Sequence, residues 1–274
     1  MLKWWNVEEA LKTIETFRVA HMAAVPTMYI QMLNYPDLDK YDLSSLENCT
    51  SGAAPLPVEV AQAWKKRTGS DIREGWGLTE TGATTSGAPA GLPPKYGSIG
   101  KCLLKCNTIK VFDENGGELP QGQVGELVVK GPTVMKGYWN LPEETAKTIR
   151  DGWLYTGDIG YKDEDGYFYI TDRKKDIIIR GGENLSPREV EEVLHQHPKV
   201  AEAGVIGIPD EVYGEEIKAF VALKAGEQAS EEEIIAFCKE RLPTFKTPKS
   251  VQFVEALPKN LLGKVLRAEL RKLG

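Results

Sequence analysis

Apolar and polar positions follow one another along this chain in three different rhythms. Asn6, with Glu9 three residues on, predicts a helix start, and Val7, Leu11, Ile14 and Phe17 then keep a helical stripe. Val19 to Val25 reads as a buried strand, and Pro26-Thr27 opens a second short helix through Leu33. A strand through Asn48–Ser51 runs into the small-residue loop Gly52-Ala53-Ala54-Pro55. A helix from about Pro57 to Arg67 and a strand near Asp71 to Glu74 follow. This strand–helix alternation predicts an α/β region with a parallel sheet.

Between Pro93 and Asp172 the rhythm shortens. Thr108–Phe112, Glu126–Val129 and Tyr167–Thr171 are β-like runs separated by turns such as Asn115-Gly116-Gly117 and Asp163-Glu164-Asp165-Gly166. They predict a small β-barrel or sheet. From Ile177 onward Ser186-Pro187-Arg188-Glu189 forms a capping box with proline at the first helical position. Ser230 and Glu233 repeat the device ahead of Ile234, Ile235, Cys238 and Leu242. Strands Ala203–Ile208 and Lys218–Leu223 lie between, and a last helix carries Leu266, Leu270 and Leu273. A compact α+β module of about a hundred residues is the result.

Composition narrows the function more than the fold. The 274 residues carry 34 Lys+Arg against 40 Asp+Glu, a formal charge of −6, with 41% hydrophobic positions. Such a chain can bury a core, and its mild acidity gives no electrostatic footprint for nucleic acid. No apolar run approaches the length of a membrane span. Cys49, Cys102, Cys106 and Cys238 form no disulfide framework, and Cys102 and Cys106 lack the second pair or nearby histidine of a metal site. Met1-Leu2-Lys3-Trp4-Trp5 meets Glu8, Glu9 and Lys12 before any signal-like core, so a reducing, cytoplasmic setting is expected.

Two common nucleotide motifs fail. Gly263-Lys264 lacks the upstream glycine and following hydroxyl of a phosphate loop, and Gly75, Gly77 and Gly82 miss the dinucleotide spacing. Other segments remain. In Gly75-Trp76-Gly77-Leu78-Thr79-Glu80-Thr81-Gly82, glycines around an aromatic allow close approach of something flat, with a hydroxyl and a carboxylate for phosphate and a cation; taken alone, a turn in the core accounts for it equally well. Asp158, in Tyr155-Thr156-Gly157-Asp158, suits the two hydroxyls of a ribose or an Asx turn. Asp172-Arg173-Lys174-Lys175-Asp176 is either a solvated linker or a charged junction, and Gly181-Gly182 follows a buried strand. Lys264, just after Gly263, could reach a phosphate or lie in solvent.

Together and in this order, with Ser51-Gly52-Ala53-Ala54-Pro55-Leu56 ahead of them, these segments resemble the adenylate-forming enzymes. That superfamily holds acyl-CoA synthetases, peptide-synthetase adenylation domains and firefly luciferase, and the fatty-acid and aryl-acid CoA ligases look nearest. The resemblance implies an α/β fold in three parts: a partial parallel-sheet subdomain, a small β-barrel subdomain at about 93–172, and a compact α+β C-terminal domain. Residues 1–172 would belong to the large AMP-binding domain, and 173–274 to a small mobile domain hinged near Lys175. A carboxylic acid would attack the α-phosphorus of Mg·ATP, and coenzyme A would then displace AMP from the acyl-adenylate.

Roles follow by matching position. Gly52, Ala53 and Ala54 would line the adenine with Trp76, in place of the family's more usual tyrosine; Glu74, Gly75 and Gly77 belong to the same nucleotide-binding strip. Thr79 would hold the α-phosphate and Glu80 the magnesium. Asp158 would accept both ribose hydroxyls with Arg173 assisting. Lys264 would bridge phosphate and substrate carboxylate. Gly181 and Gly182 would face the pantetheine channel. The family's Ser/Thr/Gly-rich loop ending in Pro-Lys-Gly does not occur in the sequence, Ser51-Gly52 and Thr84-Thr85-Ser86-Gly87 being the nearest clusters.

The chain is therefore expected to correspond to the C-terminal half of such an enzyme and to adenylate weakly or not at all alone. An apolar surface left where further sheet would pack invites self-association. Two other readings stand beside this one: a non-catalytic nucleotide- or partner-binding module, and a peptide-synthetase-type adenylation domain. His195-Gln196-His197 is poorly spaced for a metal, and His21 reads as a core histidine. Met22, Met28 and Met32 suit either an acyl channel or core packing.

Overall fold

The computed structural model describes residues 5–260 and 265–273. It is a mixed α/β fold with several sheets, in two compact units: Met1–Thr156 with Gly160–Ile170, and Gly157–Ile159 with Thr171–Gly274.

In the first unit come helix α1 (Val7–Phe17), strand β1 (His21–Ala24), α2 (Pro26–Leu33), β2 (Asn48–Ser51), α3 (Val58–Thr68), β3 (Ile72–Leu78), β4 (Ala83–Gly87) and β5 (Lys101–Cys102). Asn6 caps α1 by accepting the Glu9 N–H at 2.9 Å, an interaction that contributes about 1 kcal/mol, and Leu11 and Ile14 are buried. The sheet order is β1-β2-β3-β4-β5, with β1, β2 and β3 parallel and β4 and β5 antiparallel. Under it Tyr29 and Trp64 meet edge to face at 5.0 Å, packed with Leu11, Met32 and Ile72.

A second sheet follows from β6 (Thr108–Phe112), β7 (Gly125–Lys130), β8 (Ile149–Arg150), β9 (Trp153–Lys162) and β10 (Phe168–Arg173), with α4 (Pro142–Thr148) inserted after β7. Its order is β10-β9-β7-β6, with β8 on β9. A bridge from Gly100 to Phe168 joins the end of the first sheet to β10, so the strands curl around Trp76, Ile99, Val111, Leu127, Val129 and Leu154. Glycine is required at 100: φ is +81°, and a Cβ would lie 1.9 Å from the Gly87 carbonyl carbon.

The second unit contains β11 (Ile178–Arg180), β12 (Glu183–Leu185), α5 (Pro187–His195), β13 (Val200–Asp210), β14 (Gly214–Leu223), α6 (Glu231–Lys239), β15 (Ser250–Phe253) and α7 (Arg267–Leu273). Its sheet runs β12-β11-β14-β13, with β15 parallel to β14. Ser186 and Ser230 cap α5 and α6 by accepting the Glu189 and Glu233 N–H groups. Val190, Val193, Leu194, Ile234 and Cys238 pack from these helices onto Val205, Ile217, Ala219 and Val221.

The structure departs from expectation in identifiable places. The first strand is only His21–Ala24, alternately exposed and half-buried, and His21 is exposed rather than a core residue. Among the described strands β1 pairs only with β2, so one side of it is a sheet edge. Gly75-Trp76-Gly77 is not a turn; β3 continues through it to Leu78, paired to β4 with a register shift between Trp76 and Gly77. Helix α4 interrupts the region read as all-β. It buries no residue, so it carries no apolar period to read. Met32 is fully buried in the first core, and Met22 and Met28 are half-buried. No described helix is long and apolar enough to cross a membrane.

His197 is 4% exposed, with its ring edge-on to Phe237 at 4.7 Å; Nδ1 accepts the Lys199 N–H at 3.3 Å. Burial lowers its pKa, with Glu233 opposing and Lys199, Arg241 and Lys224 adding to the lowering. The unfolded chain therefore binds this proton more readily. The stability His197 contributes is complete above about pH 6.5 and is lost as pH falls toward the lowered folded value. Urea midpoints at pH 7.5 and 5.5 check this: the wild type should lose more stability across the interval than His197→Gln, and equal losses would contradict it.

Candidate active site

In the first unit the loop after β2 is tied to β3. A Cβ on Gly52 would lie 3.3 Å from the Gly75 carbonyl, so the two backbones approach closely. Glu74, half-buried, accepts the Leu56 N–H at 3.3 Å. Ala53 sits at φ +69°, a left-handed conformation that costs an alanine about 1–2 kcal/mol and that the flanking contacts must hold. Gly52 and Ala54 are half-buried and Ala53 is exposed. Trp76 is 8% exposed and belongs to the barrel core, so only a small part of the ring is open to a ligand; Gly75 on one side is half-buried and Gly77 on the other is exposed.

Beyond β3 the chain makes a single 3-10 turn, Thr79–Thr81. Thr81 closes it: its hydroxyl donates to the Leu78 carbonyl at 2.9 Å and accepts the Leu78 N–H at 3.1 Å. Thr79 is exposed and Glu80 half-buried. The Glu80 carbonyl accepts the Met135 N–H at 2.7 Å, and Oε1 accepts the Tyr138 hydroxyl at 2.8 Å. Burial, and then the bond to Glu80 and its charge, push the Tyr138 phenol above its ordinary pKa, so it remains a donor. Sequence reading missed Tyr138. It lies 58 positions from Glu80, and no local pattern announces the contact.

In the second unit Asp158, on β9, is 2% exposed, and Oδ1 lies 3.0 Å from Arg173 Nε at the end of β10. A buried charge-assisted pair of this kind fixes the carboxylate's direction. Gly157, at φ +72°, accepts the Lys174 N–H at 2.8 Å beside it. The charge cluster that follows is divided by side-chain direction. Lys174 and Lys175 are exposed, as a solvated linker would be, but Asp172 and Asp176 are 5% and 7% exposed.

Asp172 Oδ2 accepts the Ser186 hydroxyl at 2.9 Å and the Arg188 N–H at 3.1 Å, so it joins the cap of α5. Asp176 meets Arg267 at 3.3 Å and Arg271 at 3.4 Å. Arg267 also forks onto both oxygens of Glu191 at 2.7 and 2.8 Å. Burial opposes its charge; Glu191, Asp172 and Asp176 outweigh that and keep the guanidinium protonated. Gly181 and Gly182, at φ +59° and +88°, form the two-residue turn between β11 and β12, and both are exposed. Arg180 beside them holds Glu216 through two 2.8 Å bonds and lies 4.2 Å over the Tyr213 ring.

Lys264 lies outside the described residues. On either side of it Lys259 and Val265 form an antiparallel bridge, and the Leu266 N–H donates to Pro258 at 2.8 Å. Among the described residues no group of three or more His, Cys, Asp or Glu could hold a metal by itself. Glu80 offers one carboxylate beside the Thr79 hydroxyl. That donor set fits magnesium only when phosphate oxygens and water complete the shell, which is how magnesium is commonly held with nucleotides.

Residues 3–139 match the family model for the AMP-binding enzyme, and residues 189–264 that for the AMP-binding enzyme C-terminal domain. A long-chain-fatty-acid–CoA ligase of Bacillus subtilis is 50% identical over 96% of this chain and 47% of its own length. A feruloyl-CoA synthase of an Amycolatopsis species is 40% identical over 96% of this chain and 53% of its own. The crystal structure of ATP-bound MatB from Rhodopseudomonas palustris superposes with a TM-score of 0.93 at 36% identity, covering 100% of this chain and 54% of that one. The chain spans about half the length of the curated relatives it matches.

The Arg267 fork predicts a large stability effect. Arg267→Met leaves the buried Asp176 and the half-buried Glu191 without their main cation and should cost about 3 kcal/mol in urea unfolding, with Arg267→Lys recovering part of it. A loss below about 0.5 kcal/mol, the range of an ordinary surface substitution, would contradict the assignment.

Proposed function

The chain belongs to the AMP-binding enzyme family, and from that premise we propose that it supplies the AMP-side residues of an acyl-CoA ligase acting on a fatty acid. The reaction joins a carboxylic acid, ATP and coenzyme A into acyl-CoA, AMP and pyrophosphate. Relatives named long-chain-fatty-acid–CoA ligase at 40–50% identity support the substrate class. The observation that carries the site is the buried Asp158 held by Arg173. A carboxylate has about four lone-pair positions, so a pair with Arg173 at one oxygen is compatible with ribose hydroxyls donating to the same group.

In the first step a substrate carboxylate oxygen attacks the α-phosphorus. The bond to the bridging oxygen breaks, and pyrophosphate leaves with its electron pair. Gly52, Ala53, Ala54 and the strip Glu74–Gly77 shape the adenine side, where Trp76 contributes the small part of its ring that is open. The Thr79 hydroxyl donates to an α-phosphate oxygen. By its matching position in the family, Lys264 would supply the ammonium that offsets the negative charge building as phosphate and carboxylate approach. Glu80 would hold magnesium, which neutralises phosphate charge when bound. In the second step the coenzyme A thiol loses its proton to water and attacks the acyl carbon, and the acyl–oxygen bond breaks as AMP leaves with the electron pair. Gly181 and Gly182, with no side chains, line the path of the pantetheine arm, and Lys175 is the pivot between the two steps.

The sequence contains no Ser/Thr/Gly-rich loop ending in Pro-Lys-Gly, so we propose that these residues alone handle an acyl-adenylate better than they make one. Phosphoryl transfer rests on positioning and charge stabilisation, and the triphosphate side is what that loop supplies. A cytoplasmic setting, where ATP and coenzyme A are both at hand, goes with this reading. Among the described strands β1 pairs with β2 alone, and its other edge is a template for pairing with a second copy, which supports self-association.

Half-reactions test this. Given preformed hexadecanoyl-AMP and coenzyme A, the chain should release AMP and acyl-CoA, while hexadecanoate with ATP turns over slowly. Lys264→Ala should lower that residual adenylation roughly 10²–10³-fold and leave the thioester step largely intact. Adenylation untouched by Lys264→Ala, or no thioester from the adenylate, would overturn the proposal.

A further inference from the structure

We infer that Tyr138 is a positioning residue for Glu80, fixing the direction in which the carboxylate meets the metal ion. The inference rests on the proposed role of Glu80. The loop between β7 and α4 grips Glu80 at two points: the Met135 N–H holds its carbonyl at 2.7 Å, and the Tyr138 hydroxyl holds Oε1 at 2.8 Å. One contact fixes the main chain and the other fixes the carboxylate's rotation. A glutamate's terminal torsion is otherwise broad and roughly two-fold, so without the phenol the two oxygens would sample many directions.

The loop is itself held firmly. Thr145 Oγ1 accepts the Tyr138 N–H at 2.9 Å and donates to the Leu141 carbonyl at 2.9 Å. Gly137, at φ +153°, lets the chain pass where a Cβ would come within 2.7 Å of the Thr145 methyl. On the other side, Gly82 brings the end of the Thr79–Thr81 turn to where a Cβ would stand 3.4 Å from the Thr133 carbonyl. The phenol therefore reaches Glu80 from a braced loop and engages one of its two oxygens, Oε1. Partners that orient a metal-binding carboxylate in this way typically change metal affinity 10–100-fold when removed.

Mn2+ uptake in the presence of AMP, read from the electron paramagnetic resonance signal of the free ion against a protein-free AMP blank, tests the inference on the 274-residue chain. Metal-free AMP binding by calorimetry is the control. Glu80→Gln should abolish Mn2+ uptake, Tyr138→Phe should weaken it roughly 10-fold, and AMP affinity should stay within about twofold in Tyr138→Phe. Thr145→Val, which removes the hydroxyl that accepts the Tyr138 N–H, should give a smaller loss of the same kind, and it decides the matter if Tyr138→Phe does not fold. Wild-type uptake in Tyr138→Phe and Thr145→Val, with Glu80→Gln impaired, overturns the inference and leaves the role of Glu80 standing. No uptake by the wild type, or full uptake by Glu80→Gln, removes the role of Glu80 and the inference together. An equal loss of metal-free AMP binding in Tyr138→Phe would make the residue structural and also overturn it.

Discussion

A carboxylate taken out of water must find cations or donors, because leaving it bare costs several kcal/mol, and the second unit is organised by that constraint. Asp158 meets Arg173, Asp176 meets Arg267 and Arg271, Glu216 meets Arg180, and Asp172 takes the hydroxyl of Ser186 and the N–H of Arg188. The partners come from separate elements. The pairings therefore bind β9 to β10, the end of β10 to the start of α5, and the turn after β10 to α7. A single requirement, charge compensation, sets both the local geometry of the candidate ribose carboxylate and the packing behind it.

The first unit solves a different problem with less charge. Its strip from Gly52 to Glu80 is shaped by backbone: two close approaches at glycine, one left-handed alanine, and a 3-10 turn closed by Thr81. Trp76 spends most of its surface on the barrel core. In the proposed site, adenine therefore meets main chain and a small area of indole, while the charged contacts fall on the ribose and phosphates. Discrimination would come from hydroxyls and charge rather than from a broad stacking face.

What could be read in advance was what is local. Asn6, Ser186 and Ser230 announced their helices because a cap is made by residues three apart, and the strand at Asn48–Ser51 had bounds marked by the loop after it. The short first strand was misread because burial depends on neighbours across the sheet, and β1 has a described neighbour on one side only. The glycines of Gly75-Trp76-Gly77 hid a strand whose pairing with β4 is invisible along the chain. Composition marked Asp172 to Asp176 as charged but could not say that the two aspartates turn inward while Lys174 and Lys175 stay in water. Tyr138 carries no signal near Glu80 at all; only the folded loop brings them together.

The central claim is that Asp158, aimed by Arg173, holds a nucleotide by its ribose. Calorimetric titration of the chain with AMP and with 2′-deoxy-AMP tests it most directly. A lost bond to a charged group costs about 1.5–3 kcal/mol, so AMP should bind roughly 10-fold or more tighter than 2′-deoxy-AMP, and Asp158→Asn should erase most of that difference. Equal affinity for the two nucleotides in the wild-type chain, or a preference for AMP that survives Asp158→Asn unchanged, would contradict the account.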